Sequence, residues 1–167
     1  MNIPLDKARR YADQLVDQLT PYSHRIAIAG SIRRCRPVVH DIDLVLVPKD
    51  ITALKKRCTQ RCITLANGDR NFSIQATNGL QIDIFFAHLG RKELFQQIPS
   101  NWGSILLCRT GSKQHNQRIA LAAKAQGKRW APYIGIVDKD GRIAAETEAA
   151  LYAALNLPFL EPEQREH

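Results

Sequence analysis

Residues 30–47 read GSIRRCRPVVHDIDLVLV, and the fold turns on how that stretch is read. Its second half, DIDLVLV at 41–47, alternates acid and aliphatic before becoming wholly apolar, which is the pattern of a strand. Pro48 ends it, because proline has no N–H to give to a ladder. Side chains two apart on a strand share a face. Asp41 and Asp43 therefore project together, and Ile42, Leu44 and Leu46 project the other way.

A second strand is predicted over 80–86. Ile82, Ile84 and Phe86 form its apolar row, and Asp83 points opposite to them. If the two strands are neighbours, the three carboxylates converge. Acids so placed repel one another unless positive charge is supplied, most simply by divalent metal. Hard oxygen ligands suit Mg²⁺ or Mn²⁺. Two such ions, roughly 3.5–4 Å apart, can clamp the attacking and leaving oxygens of an in-line phosphoryl displacement. Taken alone, Asp-x-Asp is short and common. It also reads as a strand-start cap at Asp41, a solvent-facing Asp43 and an incidental Asp83.

The first half of the stretch bears on that choice. Residues 25–30, RIAIAG, read as a strand running into a tight turn at Gly30-Ser31, followed by Arg33, Arg34 and Arg36. Glycine lets a phosphate approach the backbone closely, and the serine hydroxyl can donate to it. Arginine holds phosphate oxygens bidentately. A phosphate cradle followed by a metal strand is the reading that uses all of these residues.

Working outward, residues 5–19 are an amphipathic helix with Leu5, Ala8, Ala12, Leu15, Val16 and Leu19 on one side and Pro4 at its first turn. Residues 50–60 read as a short basic helix. Strands over 72–76 and 80–86 are joined by Asn78-Gly79, which supplies the positive φ angles of a two-residue hairpin. Residues 87–103 are irregular and contain the expected boundary between two lobes. A short strand or helix at 105–107 leads to Arg109-Thr110-Gly111-Ser112. A helix over 114–126 is stopped by Gly127, a hairpin turns at Asp140-Gly141, and a last helix spans 146–156. The pattern is α/β or α+β and not a bundle.

With 167 residues, 44% of them hydrophobic, the chain can bury a core as one compact unit or two small lobes. Its formal charge of +8 favours a polyanionic partner. No apolar run reaches the roughly 18 residues of a spanning helix. MNIPLDKARR has no signal core, so the expectation is a soluble cytoplasmic protein with no membrane partner. The four cysteines, Cys35, Cys58, Cys62 and Cys108, read as reduced thiols; Cys58 and Cys62 could share a helix face.

At these residues the chain resembles the nucleotidyltransferases of the DNA polymerase beta superfamily, whose pattern is Gly-Ser, a basic stretch, Asp-x-Asp and a third Asp on a later strand. More narrowly it is similar to the family X DNA polymerases. GSIRR matches their GSxRR, RTGSKQHNQRIALAAKAQG at 109–127 is similar to their thumb motif, and ETEAALYAALNLPFLEPEQRE at 146–166 is similar to the end of that thumb. The resemblance implies an α+β fold: a nucleotidyltransferase palm over 1–98, a mixed sheet with helices on one face, then a small α/β thumb over 99–167. It implies that the family's preceding lyase and helix-hairpin-helix domains are absent.

The same resemblance implies roles. Asp41, Asp43 and Asp83 would be catalytic and hold two Mg²⁺ ions, Mn²⁺ being possible. Gly30, Ser31, Arg34, Thr110, Gly111 and Asn116 would bind the nucleotide; Arg109, beside them in sequence, is also read as nucleotide-binding, and His40 could reach the triphosphate or merely fill the turn. Charge adds a further expectation: Lys113, Arg118, Lys124, Lys128 and Arg129, on the helix around 113–129, would hold the nucleic-acid backbone without reading its sequence. Trp102, Trp130 and Tyr133 read as base-stacking, core or junction residues. The implied activity is a DNA-directed nucleotidyltransferase that extends a 3′-hydroxyl with release of pyrophosphate, in gap filling or DNA repair. Its partners would be primer or gapped DNA and nucleoside triphosphates, and the chain would act as a monomer. The alternative is a template-independent enzyme, or one acting on a tRNA, small-molecule or protein acceptor.

The chain departs from the family pattern at several positions. Cys108-Arg109 stands where an aromatic pair is usual, His40 where Gly is usual, Gln81 where Arg often precedes the third Asp, and Ala120 where a template-touching Arg usually lies. Sugar discrimination and template reading are therefore open.

Overall fold

The computed structural model describes residues 2–60, 62–94 and 97–166. Contacts divide the chain into two compact units, Met1–Phe86 and Ala87–His167.

The first unit runs β1 (Ile3–Pro4), α1 (Leu5–Leu19), β2 (Ser23–Ile28), α2 (Gly30–Arg33), β3 (Val38–Val39), β4 (Asp41–Pro48), α3 (Ile51–Thr59), β5 (Cys62–Asn67), β6 (Asn71–Ala76) and β7 (Gln81–Phe86). Five of the strands form one sheet in the order β2-β4-β7-β6-β5. The β4–β7 pair is parallel and the others are antiparallel, so the sheet is mixed, as expected. A parallel pair cannot be joined by a hairpin and needs a crossover. Here the chain between the two strands supplies α3, β5 and β6.

The apolar periodicity of α1 predicts its packing: Ala8, Ala12 and Leu19 are buried, and Leu5, Leu15 and Val16 pack beside them. Asp50 starts α3, its carboxylate accepting from the N–H groups of Thr52 (2.8 Å) and Ala53 (3.0 Å). Leu54 of α3 and the buried row of α1 cover one sheet face, made by Ile42, Leu44, Leu46, Phe72, Ile74, Ile82, Ile84 and Phe86.

Two local expectations change. The β6–β7 connection is not a two-residue turn. Thr77, Asn78 and Gly79 bridge Ala76 and Leu80, the Gly79 N–H donates to Ala76 O (2.8 Å), and of the Asn78-Gly79 pair only the glycine has positive φ (81°). This is a type I turn closed by a left-handed glycine. The helix α3 stops at Thr59, which puts Cys62 on β5 and not on a helix face with Cys58. The sequence gives little sign of β5 because it is the sheet edge and five of its six residues are exposed.

The second unit contains β8 (Arg91–Lys92), β9 (Gln97–Ile98), α4 (Trp102–Thr110), α5 (Lys113–Ala125), β10 (Arg129–Ala131), β11 (Gly135–Val137), β12 (Ile143–Ala144) and α6 (Glu148–Ala154). The stretch read as irregular, 87–103, holds the β8–β9 pair and the start of α4. Phe95 and Gln96 within it lie outside the described residues. Residues 105–107 prove helical, and Leu107 joins Ile119, Ala123, Ile136, Leu151, Tyr152 and Leu155 in the core.

The expected hairpin is present, with β10 adding a third strand. The Asp138 carboxylate accepts from the N–H groups of Asp140 and Arg142, both at 2.9 Å, and fixes its turn. The unit begins before the 98/99 division drawn from the sequence. Asn101 Oδ1 accepts from the His88 N–H (2.8 Å) and Ser100 Oγ donates to His88 O (2.9 Å), which ties 87–88 to the start of α4. Among the described residues no helix is long and apolar enough to cross a membrane.

Leu44 is fully buried on the covered face of β4. Leu44→Ala is expected to lower stability by about 2–5 kcal/mol, read as a fall in the urea midpoint.

Candidate active site

The parallel register of β4 and β7 sets Asp41 beside Gln81 and Asp43 directly beside Asp83. Adjacent strands lie about 4.8 Å apart, and the flanking Ile42, Leu44, Ile82 and Ile84 are buried on the other face. All three acids therefore project from one side of the sheet, and each is half-buried. The Gln81 amide donates to both oxygens of Asp83, at 2.9 and 3.2 Å, so that this carboxylate lies along its own strand. With the side chains so arranged, no three His, Cys, Asp or Glu among the described residues form a group able to hold a metal. The backbone register brings the acids to one face, and the Gln81 amide occupies Asp83 there.

The Gly-Ser turn abuts this face. The Ala29 N–H donates to Asp43 O (2.8 Å), which joins the end of β2 to β4. Gly30 has φ +58°, and a Cβ there would overlap Asp43 Oδ2. Glycine is thus required twice, by the backbone angle and by the acid packed against it. Ser31 Oγ is buried and has no hydrogen-bond partner among the described residues. Leaving a buried hydroxyl unsatisfied costs about 1–3 kcal/mol, and a donor kept that way beside a carboxylate face suits an anion that arrives with a cation.

Backbone N–H groups of Arg34 and Arg36 close back onto Gly30 O (3.2 Å) and Ser31 O (3.0 Å), and Arg9 Nη2 donates to Ile32 O (3.0 Å). Arg33 and Arg34 are half-buried, while His40 is exposed just before β4. The donor set, hard oxygens on one face beside an unpartnered hydroxyl, fits a divalent ion with a phosphate.

In the second unit, Thr110, Gly111 and Ser112 form the turn from α4 to α5. Thr110 is fully buried, Gly111 has φ +72°, and Ser112 caps α5 by accepting from the His115 N–H (3.3 Å). The Ser112 hydroxyl and N–H both donate to Arg165 O, at 2.6 and 3.3 Å. Arg165 is itself fully buried. Its Nη1 pairs with Glu148 Oε1 at 2.6 Å, and its Nε and Nη2 donate to Leu160 O at 3.0 and 2.8 Å. Asn116 Nδ2 donates to Cys108 O (2.7 Å), and Arg109 lies half-buried in the last turn of α4. Sequence reasoning missed Arg165 and Glu148, because only the folded chain shows that this pair braces the turn.

The basic set is not all carried by one helix. Gly127, with φ +66°, ends α5, so Lys128 follows the helix and Arg129 lies on β10. Lys128 Nζ donates to Gln126 Oε1 (3.0 Å) and Ala154 O (2.5 Å) within its own unit. Lys113, Arg118 and Lys124 are exposed on α5, with Arg118 beside Leu157, Pro158 and Leu160. Trp102 is buried, and Trp130 Nε1 donates to Ser104 Oγ (3.0 Å). Tyr133 is half-buried, and its carbonyl accepts from Asn101 Nδ2 (3.1 Å).

The fold is that of polymerase beta. Two structures of Leishmania infantum polymerase beta, a ternary P/T complex and a ternary gap complex, each superpose with a TM-score of 0.81 over all of this chain. They share 17% and 16% identity with it, and it covers 77% and 71% of their lengths. Residues 105–166 match the DNA polymerase beta thumb family. The DNA polymerase/3'-5' exonuclease PolX of Bacillus subtilis (strain 168) is 28% identical over 169 residues, covering 98% of this chain and 28% of that relative. The chain is thus similar to PolX in sequence and to polymerase beta in fold, and it spans just over a quarter of the PolX length.

Gly30→Ala forces a left-handed angle on a β-carbon that also strikes Asp43. A loss of at least about 1–2 kcal/mol is expected in urea denaturation. Burial, with the Arg165 charge added, lowers the pKa of His115 from 6.5 to about 4, and its Nε2 shares a 2.6 Å hydrogen bond with the Tyr152 hydroxyl. The unfolded chain then binds the extra proton between those values and the folded chain does not. Stability should fall as pH drops from about 6.5 to about 4, by up to about 1.4 kcal/mol per pH unit. His115→Phe should remove that slope in urea titrations run across the window.

Proposed function

We propose that the protein is a metal-dependent nucleotidyltransferase that adds nucleotides to a 3′-hydroxyl of DNA, in gap filling or repair, as a cytoplasmic monomer. The palm would lie within residues 1–98 and the thumb within 99–167. The observation that carries this reading is the parallel register that pairs Asp43 with Asp83, with Gly30 packed on Asp43.

Asp41, Asp43 and Asp83 are the residues that would hold two Mg²⁺ ions. When bound, such ions lower the pKa of the attacking hydroxyl and neutralise charge on the triphosphate. Asp83, on the adjacent strand, orients that hydroxyl and favours its deprotonation. The hydroxyl attacks the α-phosphorus in line, the bond to the bridging oxygen breaks, and pyrophosphate carries away the electron pair. Ser31 Oγ, which lacks a partner among the described residues, donates to the outgoing phosphates beside Arg34. Thr110, Gly111 and Asn116 are assigned to the sugar and base, on a turn that Arg165 holds still. Positioning and charge stabilisation carry most of the rate in phosphoryl transfer. Lys113, Arg118 and Lys124 give salt-sensitive backbone binding.

The test is metal-dependent incorporation of labelled nucleotide. Gapped duplex, primer-template, single strand and tRNA are compared, each with dNTPs and with NTPs. Gapped duplex with dNTPs should be the best pair. Asp83→Ala should cut extension by at least about 10³-fold while nucleotide binding is largely kept. Extension by that variant at the wild-type rate would remove the proposed centre, and a preference for tRNA or single strand would replace the proposed substrate.

A further inference from the structure

On the face of β7 opposite to Asp83, the first unit contains a cavity of about 360 Å³. Leu15 and Leu19 of α1, Ile74 of β6, and Ile82 and Ile84 of β7 give it apolar walls, and Cys58 and Cys62 lie among them. Among the described residues, Arg57, in the last turn of α3, is the lining residue with a formal charge. Its Nη2 donates to Gln18 Oε1 (3.0 Å) and its Nη1 to Gln60 Oε1 (3.3 Å). Both partners are neutral amides, and among the described residues Arg57 forms no ion pair. A guanidinium carries five donors, so the fork keeps N–H groups for an incoming acceptor.

We propose that this cavity is a binding site for a compact organic anion, a carboxylate on an aryl or short alkyl body, with Arg57 taking the charge and the isoleucine and leucine walls taking the body. Cavities that bind small molecules typically begin at about 300 Å³ and pair apolar walls with a few placed polar groups. An arginine fork matches a carboxylate in two parallel hydrogen bonds. The Cys58 thiol does not compete for it. Burial first, and Cys62 second, raise the Cys58 thiol to about 11, so Cys58 is protonated and neutral at physiological pH. The site is independent of the polymerase reading, although Ile82 and Ile84, the residues on either side of Asp83, form its floor.

The experiment uses the full chain with 1-naphthoate and its neutral counterpart 1-naphthylmethanol. Calorimetry gives the affinity, and methyl NMR at Ile74, Ile82 and Ile84 gives the location. Naphthoate should bind, shift those methyls, and be about tenfold tighter than the alcohol. Arg57→Gln should weaken naphthoate by about the same factor and leave the alcohol unchanged. Cys58→Met, which fills the cavity and keeps Arg57, should weaken both. The proposal is overturned if naphthoate does not bind at millimolar concentration. It is also overturned if acid and alcohol bind alike, if Arg57→Gln leaves naphthoate affinity unchanged, or if the shifted methyls lie elsewhere. Folding of each variant is checked by its wild-type methyl spectrum.

Discussion

The parallel pairing of β4 with β7 is the constraint on which the candidate site depends. Strand periodicity alone puts Asp41 and Asp43 on one face and Asp83 on a face of its own strand. Only the register makes those faces the same and sets Asp83 beside Asp43. The register in turn is held from behind. A slip of one residue would move Ile82, Ile84 and Phe86 onto the acidic face and Asp83 into the core beneath α1 and α3. The apolar face therefore specifies the position of the acids at least as strongly as anything on the acidic face does.

Around that constraint the chain uses close approach in place of bulk. Gly30 allows Asp43 to lie against the Gly30-Ser31 turn, and the Ala29 N–H donating to Asp43 O holds the two segments together. The second unit fixes its own turn differently, through buried charge. Arg165 is tolerated in a dry interior because Glu148 balances it and Leu160 O accepts from its Nε and Nη2. Its carbonyl can then accept both donors of Ser112. Rigidity near a turn assigned to a nucleotide has a physical use, since a donor already in place needs no reorganisation when its acceptor arrives.

The first unit was largely legible because its signals are local. The alternation in DIDLVLV, the periodicity of residues 5–19 and the isoleucine row of β7 each state an orientation that packing respects. The parts that were not legible depend on partners distant in sequence. The edge strand β5 buries too little to show alternation. The Asn78-Gly79 turn needs Thr77 as well, because only Gly79 takes the left-handed angle. The basic residues near 128 look continuous with α5 until Gly127 ends it. Gln81 was visible as a departure from a family pattern, yet its grip on Asp83 emerges only when the side chains are placed.

The order in which the sheet forms follows from its connectivity. The β5–β6 and β6–β7 pairs close short loops, whereas β4–β7 joins segments separated by an entire helix and two strands. Loop-closure entropy delays the long-range pair. In a nascent or partly unfolded chain the acids would therefore sit on separate fragments, and the capacity to bind cations would appear only when the sheet is complete. Any ion captured by the assembled face binds the native state alone, so its concentration also sets how firmly that last-formed pairing stays closed.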